Sequence, residues 1–175
     1  DGVVTDSREV RPGVLFCALR GTETDGHTFV ARAAAAGAVA ALVETEVADA
    51  DLPQLVVSDS RAATAHVAAL LHGDPADDLS IVGISGTNGK TTTALIARHV
   101  MAGKGPSAAI GTLGWFDAAG ARHPGRLTTP DPLDLMSTLA TLRGQGTRFL
   151  SMEISSHALD QRRVASLEFA AGVYT

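Results

Sequence analysis

The sequence from residue 80 to residue 92 reads Ser80-Ile-Val-Gly-Ile-Ser-Gly86-Thr-Asn-Gly89-Lys90-Thr91-Thr92. It begins with a short apolar run that predicts a strand at 80–85, and the glycine-rich turn that follows opens a helix predicted from Lys90 to Ala102. Such a turn exposes backbone N–H groups at a helix N-terminus, a geometry that binds phosphate. Lys90 would reach the β- and γ-phosphates of a nucleotide, and Thr91 would place its hydroxyl on Mg²⁺. The segment therefore predicts a nucleotide-phosphate loop.

This loop departs from the common P-loop pattern by one position. The pattern requires a glycine where Ile84 stands, and Gly83 comes one residue earlier. The plain alternative is a helix-starting turn with an incidental lysine. The chain contains no Asn-Lys-x-Asp motif, which argues against a guanine-specific GTPase, and nothing beyond the loop favours a kinase.

A second chemical signal follows a predicted strand that ends near Met152. The segment reads Ser151-Met-Glu153-Ile-Ser155-Ser-His157-Ala-Leu-Asp-Gln161-Arg-Arg163-Val164. Glu153 falls at the carboxyl end of that strand, the edge where open α/β sheets hold ligands, so beside a phosphate loop it is placed to hold Mg²⁺. A solvated strand-end glutamate is the alternative. Gln161 and Arg163 could face a substrate carboxylate or pyrophosphate, although an ordinary solvated charge also explains Arg163, and the role of His157 stays ambiguous.

The remaining sequence alternates predicted strands and helices. Strands are predicted at 14–19, 39–43, 55–58, 107–110, 148–152 and 169–174, and helices at 60–72, from Asp131-Pro132 onward and near 157–164. Residues 115–125 predict a hairpin or an exposed loop. The alternation predicts an α/β fold with a mostly parallel sheet covered on both faces.

Two of the predicted helices carry specific expectations about caps and buried faces. The helix at 60–72 is expected to start with Ser60 as its cap; its buried face is expected to comprise Ala63, Val67, Leu70 and Leu71. The later helix is expected to start at Asp131 and to bury Leu135, Leu139 and Leu142. Between them, the polar, helix-breaking run Gly73-Asp-Pro-Ala-Asp-Asp78 predicts a boundary between domains at 1–74 and 79–175.

Composition and charge narrow the classes of partner. A net charge of -5 disfavours nucleic acid, although local donors can still bind an anionic ligand. The single Cys17 lies in an apolar run and is expected to be a core residue in a reducing compartment. The apolar stretch at 33–43 is too short to span a bilayer, and no leader pattern is evident, so we expect a cytoplasmic chain without membrane insertion.

Several of these motifs together resemble the MurE-type Mur ligases. Gly83-x-x-Gly-Thr-Asn-Gly-Lys-Thr-Thr92 is similar to the ATP loop of Mur ligases and their folylpolyglutamate-synthetase relatives. Met152-Glu-Ile-Ser-Ser-His-Ala-Leu159, with Arg163-Val164 after it, and Thr128-Thr129-Pro130 resemble MurE rather than its sibling MurF. The segments Thr5-Asp-Ser-Arg8, Pro12-Gly-Val-Leu-Phe16, Gly21 and Asp25-Gly-His27 resemble the UDP-binding domain that both share.

The resemblance implies a small α/β UDP-binding domain followed by an incomplete ATP-binding domain, with the C-terminal amino-acid-binding domain absent. It assigns the ATP phosphates to Gly86, Thr87, Asn88, Gly89, Lys90, Thr91 and Thr92, with Lys90 catalytic. It assigns Mg²⁺ to Thr91 and Glu153. It assigns the UDP-linked precursor to Ser7, Thr22, Glu23, Thr24, Asn88, Thr128, Thr129, Ser155, Gln161 and Arg163, and the match at 22–24 is loose.

The implied activity is an ATP-dependent ligase of peptidoglycan synthesis. It would add the third amino acid, diaminopimelate or lysine, to UDP-N-acetylmuramoyl-L-alanyl-D-glutamate through an acyl phosphate. We expect the 175-residue chain to be inactive alone, because the rest of the ligase is missing. Two alternatives stay open: a MurF-like sibling ligase, and a non-catalytic module that binds a UDP precursor or a nucleotide.

Overall fold

The computed structural model describes residues 2–21 and 24–175. The chain divides into two compact units, Asp1–Val67 and Ala68–Thr175. The division falls inside the helix Ser60–Leu71, and the predicted boundary at 73–78 lies just after that helix. Assignment of 1–74 and 79–175 to separate domains stays a prediction. Each unit has its own sheet, and the mostly parallel pairing of the strands confirms the predicted fold class.

The first unit is built on a four-stranded parallel sheet in the order β1-β2-β3-β4. Its elements are β1 (Gly2–Val4), β2 (Val14–Cys17), a 3₁₀ turn (Gly26–Phe29), α1 (Val30–Ala35), β3 (Ala40–Val43), β4 (Gln54–Val56) and the start of α2 (Ser60–Leu71). Phe16, Val30 and Val43 are buried in its core. Cys17 is buried as predicted, and burial raises the pKa of its thiol to about 11. Strand β1 was not predicted from the sequence.

Helix α2 is confirmed within one residue, but its buried face is not the predicted one. Leu70 and Leu71 are 68% and 53% exposed. The side chains that are buried instead are small: Ser60, Thr64, Ala65, Ala68 and Ala69. Small residues let a helix lie close to its neighbours, and apolar spacing alone does not distinguish that face from an adjacent leucine face. Asp59, not Ser60, is the cap, because its Oδ1 accepts from the backbone N–H of Ala62 at 2.9 Å.

The second unit is built on a six-stranded sheet in the order β10-β5-β9-β6-β7-β8. Its elements are β5 (Ser80–Ser85), α3 (Lys90–Ala102), β6 (Ser107–Gly111), β7 (Gly114–Phe116), β8 (Arg122–His123), α4 (Pro132–Gly144), β9 (Phe149–Glu153), α5 (Ser156–Asp160) and β10 (Ala171–Tyr174). β10, β5, β9 and β6 run parallel, and the hairpin β7–β8 adds an antiparallel edge. β5 and α3 have the predicted bounds.

Helix α4 begins and packs as predicted. Oδ1 of Asp131 accepts from the backbone N–H groups of Leu133 and Asp134, each at 3.1 Å, and Pro132 occupies the first turn. The buried face comprises Leu135, Met136, Leu139 and Leu142. These side chains join the hydrophobic core of the second unit.

The predicted helix near 157–164 is shorter in the structure, because α5 ends at Asp160. Arg162 has a φ of 56°, a left-handed conformation that stops a helix, and the N–H of Arg163 closes the turn on the carbonyl of Ala158 at 2.9 Å. The predicted hairpin is confirmed as β7–β8, where Trp115 stacks on His123 with 3.7 Å between ring centroids.

Candidate active site

The phosphate loop connects β5 to α3. Gly86 and Gly89 have φ angles of 136° and 81°, which residues with a side chain rarely adopt. Among the described residues, no side chain caps the N-terminus of α3. The first N–H groups of any helix have no intrahelical partner, and in this 13-residue helix no described side chain caps them. The helix dipole adds partial positive charge at the same end. The loop offers the backbone donors that a phosphate group requires.

Lys90 lies across this loop. Its Nζ donates to the carbonyl oxygen of Gly86 at 2.6 Å, which folds the side chain back over the turn. An ammonium group has three N–H donors, so this bond leaves donors for a bound phosphate. The position is compatible with the predicted role of Lys90 at the phosphates.

Thr175, which follows the neighbouring strand β10, holds the same loop and was not predicted from the sequence. Its N–H donates to the carbonyl of Ser85 at 2.9 Å, and its carbonyl accepts from the N–H of Thr87 at 3.1 Å. Its hydroxyl donates to the carbonyl of Asn88 at 2.6 Å. A side chain on Gly86 would lie 2.7 Å from the backbone nitrogen of Thr175, so this close approach requires glycine. Asn88, predicted to contact the precursor, is exposed at the tip of the loop.

Glu153 ends β9, directly beside the strand that feeds the phosphate loop. It pairs with Ile84 of β5, and its side chain is only 2% exposed. Oε1 accepts from the backbone N–H of Thr112 at 3.0 Å, and Oε2 accepts from the hydroxyl of Thr112 at 3.0 Å. Gly111 makes room for the carboxylate, since a Cβ there would lie 2.8 Å from Cγ of Glu153. The structure thus excludes the solvated strand-end glutamate.

Thr91 and Glu153, the two predicted Mg²⁺ ligands, line one small pocket. Within residues 2–21 and 24–175 no group of three or more His, Cys, Asp or Glu side chains is arranged to hold a metal. Two protein oxygens next to a phosphate loop nevertheless suit Mg²⁺, which keeps several waters and takes its other ligands from substrate phosphates. Thr91 and Glu153 are the oxygen-bearing side chains of this pocket, and they are compatible with Mg²⁺ whose other ligands are nucleotide phosphates and water.

The predicted threonine pair sits against Glu153. The hydroxyl of Thr128 lies 3.0 Å from that of Thr112. Thr129 is buried, and its hydroxyl donates to the carbonyl of Glu153 at 3.0 Å while it accepts from the N–H of Ser155 at 3.0 Å. Thr129 therefore stabilises the end of β9 by two hydrogen bonds, and Thr128 is the more accessible of the two threonines.

Ser155, Gln161 and Arg163 lie next to this threonine pair. Nε and Nη2 of Arg163 donate to Oε1 of Gln161 at 3.0 and 2.7 Å, and Nη1 donates to the carbonyl of Thr129 at 2.9 Å. Oγ of Ser155 accepts from the N–H of Ala158 at 3.1 Å, so its own hydrogen is left to donate. The turn at Arg162 brings Arg163 back toward Thr129, and this small cluster presents hydrogen-bond donors to a ligand.

His157, whose role the sequence left ambiguous, is exposed on α5. It immediately precedes the buried Ala158, and no described contact connects it to Glu153. Among the described residues, the site is therefore assembled without it.

The first unit contains a cleft of its own, with a volume of about 530 Å³. Its lining residues are Thr5, Asp6, Ser7, Arg8, Leu19, Gly21, Thr24, Gly26, Phe29 and Arg32. Ser7 and Thr24 are two of the residues predicted for the UDP moiety, whereas Thr22 and Glu23 lie outside the described residues. The hydrogen bond from the Arg8 side chain, reinforced by its N–H, lowers the pKa of Asp6 to about 2. The cleft offers cationic and hydroxyl groups to a polar ligand.

Comparison with known families gives matches over nearly the whole chain. A model described as "Mur ligase family, catalytic domain" matches residues 1–76, and one described as "Mur ligase middle domain" matches residues 84–175. The chain is 42% identical to a UDP-N-acetylmuramoyl-L-alanyl-D-glutamate–2,6-diaminopimelate ligase of Geobacter sulfurreducens, over 100% of the chain and 35% of the relative. It is 43% identical to the ligase of the same name in Pseudomonas aeruginosa, over 97% and 36%. The chain spans about a third of the length of the curated relatives it matches.

Solved structures of Mur ligases also match this chain. A structure of a UDP-N-acetylmuramoyl-L-alanyl-D-glutamate–2,6-diaminopimelate ligase matches with a TM-score of 0.77 and 33% identity, over 99% of this chain and 35% of that one. MurF from Acinetobacter baumannii matches with a TM-score of 0.58 and 29% identity, over 89% and 30%. MurF from Thermotoga maritima in complex with ADP matches with a TM-score of 0.56 and 27% identity, over 88% and 32%.

Proposed function

The chain belongs to the Mur ligase family, and from this premise we propose that it forms the precursor-binding and ATP-binding parts of a MurE-type ligase. The ligase would join an amino acid to UDP-N-acetylmuramoyl-L-alanyl-D-glutamate in peptidoglycan synthesis, in the cytoplasm. The observation that carries the proposal is the adjacency of the phosphate loop and Glu153 on paired strands, with Thr128, Ser155 and Arg163 beside them. Residues 1–74 and 79–175 would be the two domains.

The incoming amino acid is proposed to be 2,6-diaminopimelate, with lysine as the alternative. The curated relatives in Geobacter sulfurreducens and Pseudomonas aeruginosa both carry diaminopimelate in their names. A MurF-like activity, adding a dipeptide to the tripeptide precursor, is the second candidate, because two MurF structures share the fold at TM-scores of 0.58 and 0.56. The similarity to the diaminopimelate ligase is greater in both identity and TM-score, which favours the MurE-type activity.

The reaction would proceed in two steps, phosphoryl transfer and then amide formation. A carboxylate oxygen of the precursor attacks the γ-phosphorus of ATP, which releases ADP and leaves an acyl phosphate. The amine of the incoming amino acid then attacks the acyl carbon and gives up one proton to solvent, which forms the amide and releases inorganic phosphate. The first step brings two anions together, so it requires neutralisation of charge and alignment of the reacting groups.

The chain's own residues supply much of that neutralisation. Lys90 and the N–H groups at the start of α3 would bind the β- and γ-phosphates. Mg²⁺, held by Thr91 and Glu153, would supply positive charge to the phosphate oxygens. Arg163 and the hydroxyl of Ser155 would bind anionic oxygens of the precursor. Ser7 and Thr24 would contact the uridine diphosphate in the first unit's cleft, and we propose the same for Thr22 and Glu23.

Calorimetric titration of the 175-residue chain tests the ATP-binding half of the proposal. ADP with Mg²⁺ is expected to bind, and Lys90→Ala is expected to weaken binding about 10- to 100-fold, because a charged hydrogen bond contributes about 1.5–3 kcal/mol. Lys104→Ala, two residues beyond the far end of that helix, is the matched control and is expected to bind like the wild type. Equal losses in both variants would refute the assignment of Lys90.

Titration with the precursor tests the other half. UDP-N-acetylmuramoyl-dipeptide is expected to bind more tightly than the tripeptide precursor, and Arg163→Ala is expected to weaken it by the same order of magnitude as the Lys90 change. Arg148→Ala, an exposed arginine at the start of β9, is the control. Preference for the tripeptide would favour the MurF-like alternative. Tight binding of both ligands without amide formation by the full-length ligase would favour a non-catalytic binding module.

A further inference from the structure

Thr112 occupies a position that no role in the proposed reaction yet explains. It follows β6, and it gives Glu153 two hydrogen bonds, one from its backbone N–H and one from its hydroxyl, each 3.0 Å long. Each bond reaches a different carboxylate oxygen. The two bonds therefore fix both the position and the plane of the carboxylate, as the two N–H groups of an arginine do in a bidentate pair.

We infer that Thr112 is a positioning residue that holds the Glu153 carboxylate in the orientation in which it binds a divalent cation. The inference rests on the proposed function, since it assigns to Thr112 an effect on the Mg²⁺ site of that function. Groups that orient a metal-binding carboxylate commonly contribute 10- to 100-fold, as a rough range, to metal affinity.

The lone pairs of the carboxylate support this assignment. A carboxylate has about four acceptor positions, and Thr112 uses only one on each oxygen. Glu153 lines the same small pocket as Thr91, and it ends the strand that pairs with β5, from which the phosphate loop continues. The bonds from Thr112 thus leave acceptor positions for a cation while they remove the freedom of the side chain to turn away.

Space and burial restrict the carboxylate to this arrangement. Glu153 is 2% exposed, so an alternative orientation would have to find other donors inside the protein. The absence of a side chain at Gly111 opens the room that the carboxylate fills. Without Thr112, the buried Glu153 carboxylate would lose these two hydrogen-bond donors, which offset the cost of burying its charge.

The direction of the hydrogen bonds extends the effect to Thr128. An ionised carboxylate only accepts, so the single hydrogen of the Thr112 hydroxyl points to Glu153. In the contact of 3.0 Å between the hydroxyls of Thr112 and Thr128, Thr128 must then donate. This bond fixes the rotamer of Thr112 and leaves the oxygen of Thr128 as an acceptor for a donor group of the precursor.

The test compares Thr112→Val with Thr112→Ser in the 175-residue chain loaded with ADP. Valine keeps the shape of threonine and the backbone N–H but removes the hydroxyl, whereas serine keeps the hydroxyl. Mn²⁺ serves as the probe, and electron paramagnetic resonance of the free ion measures its affinity for the chain with bound ADP. Calorimetry in EDTA measures the affinity of the chain for ADP in the absence of a divalent cation.

Thr112→Val is expected to weaken Mn²⁺ binding about 10- to 100-fold, and Thr112→Ser is expected to restore it to near the wild-type value. ADP affinity in EDTA is expected to change less than about twofold. Thr141→Val, an exposed residue of α4, controls for the substitution itself. In a Glu153→Gln background the valine substitution is expected to add less than about twofold, since Thr112 acts through the carboxylate.

The outcomes separate this inference from the proposed function. A wild-type chain that binds neither ADP nor Mn²⁺ would contradict the proposed function itself. A wild-type chain that binds both, with Mn²⁺ affinity unchanged in Thr112→Val, would overturn the inference alone. A loss in Thr112→Val that is equally large in the Glu153→Gln background would also overturn it, because the effect would then not pass through Glu153.

Discussion

Gly111 is the position where one added methyl group would test the geometry of the proposed metal site most directly. It ends β6 and is buried against the Glu153 side chain. A Cβ built at this residue would lie 2.5 Å from Cδ and 2.8 Å from Cγ of Glu153. The φ angle of Gly111 is outside the left-handed region, so Gly111→Ala adds no backbone strain and its effect is one of space alone.

The size of the displacement follows from these distances. Carbon atoms in contact prefer about 3.5–4.0 Å, so the carboxyl group of Glu153 would have to move by about 1 Å. Such a shift stretches the 3.0 Å bonds from Thr112 beyond hydrogen-bonding distance. Overpacking of this kind typically costs about 1–3 kcal/mol of stability. A misplaced ligand would reduce metal affinity about 10- to 100-fold.

The assay measures Mn²⁺ affinity and ADP affinity separately, and thermal unfolding reports stability. Gly111→Ala is expected to lose metal affinity while ADP binding in EDTA stays within about twofold of the wild type. Gly172→Ala is the matched control, since a Cβ there meets nothing within 4 Å. Unchanged Mn²⁺ affinity in a folded Gly111→Ala chain would refute the claim that the position of the carboxylate governs the metal site.

Three further predictions concern the thiol, the acidic titration and the core. Because burial raises the pKa of Cys17 to about 11, Ellman's reagent is expected to react slowly with the native chain at pH 8 and rapidly in denaturant; rapid reaction of the native chain would contradict this burial. The pKa of the Asp6 carboxyl is lowered to about 2 from an ordinary 3.8, and carbon-13 NMR of Arg8→Ala is expected to show it raised toward 3.8, because the side-chain bond is lost while the backbone N–H of residue 8 still donates. The contribution of this carboxyl to stability is present above pH 3.8 and is lost as pH falls through about 2, and an unchanged midpoint in Arg8→Ala would argue against the side-chain bond. Leu139→Ala is expected to destabilise the second unit by about 2–5 kcal/mol in chemical denaturation, whereas Leu159→Ala, at 47% exposure, is expected to cost much less; equal losses would contradict the core assignment.

The elements around the phosphate loop were predictable because their signals are local. The apolar run of β5, the glycines at Gly86 and Gly89 and the polar residues that open α3 lie within a few positions of one another, and the bounds of both elements agree with the prediction. The cap of α4 is another local signal, since Asp131 bonds only to the next turn. Chemistry that depends on neighbours along the chain can be inferred from the chain alone.

Thr112 and Thr175 reach the site only through the order of the strands. Thr112 follows β6, which lies next to β9, and Thr175 follows β10, which lies next to β5. A lone threonine after a strand has no distinctive pattern, and the alternation of elements predicts a parallel sheet without fixing which strands are neighbours. Both residues therefore became visible only when the sheet order was known.

Local conformation accounts for two further differences. The end of α5 depends on Arg162 in a left-handed conformation, a state usually signalled by glycine or asparagine and so not expected for arginine. In α2 the apolar spacing fits a leucine face and an alanine face equally, and only packing shows that Leu70 and Leu71 are outside. Periodicity identifies a helix more reliably than it identifies which of two adjacent faces is buried.

The net charge of the chain indicates that an anionic ligand would be bound by hydrogen-bond donors in contact with it, and not by the long-range electrostatic field of the protein. The net charge is -5, which repels a nucleotide or a diphosphate at long range. Charges separated by more than about 8–10 Å are largely screened at physiological salt, whereas donors in contact with a phosphate are not. Lys90 with the start of α3, and Arg163 beside Ser155, are donors of this kind, each held in place by bonds to the backbone or to a neighbouring side chain. Under the proposed function, this acidic chain would bind its anionic ligands through those cations that are fixed where the anions are proposed to lie.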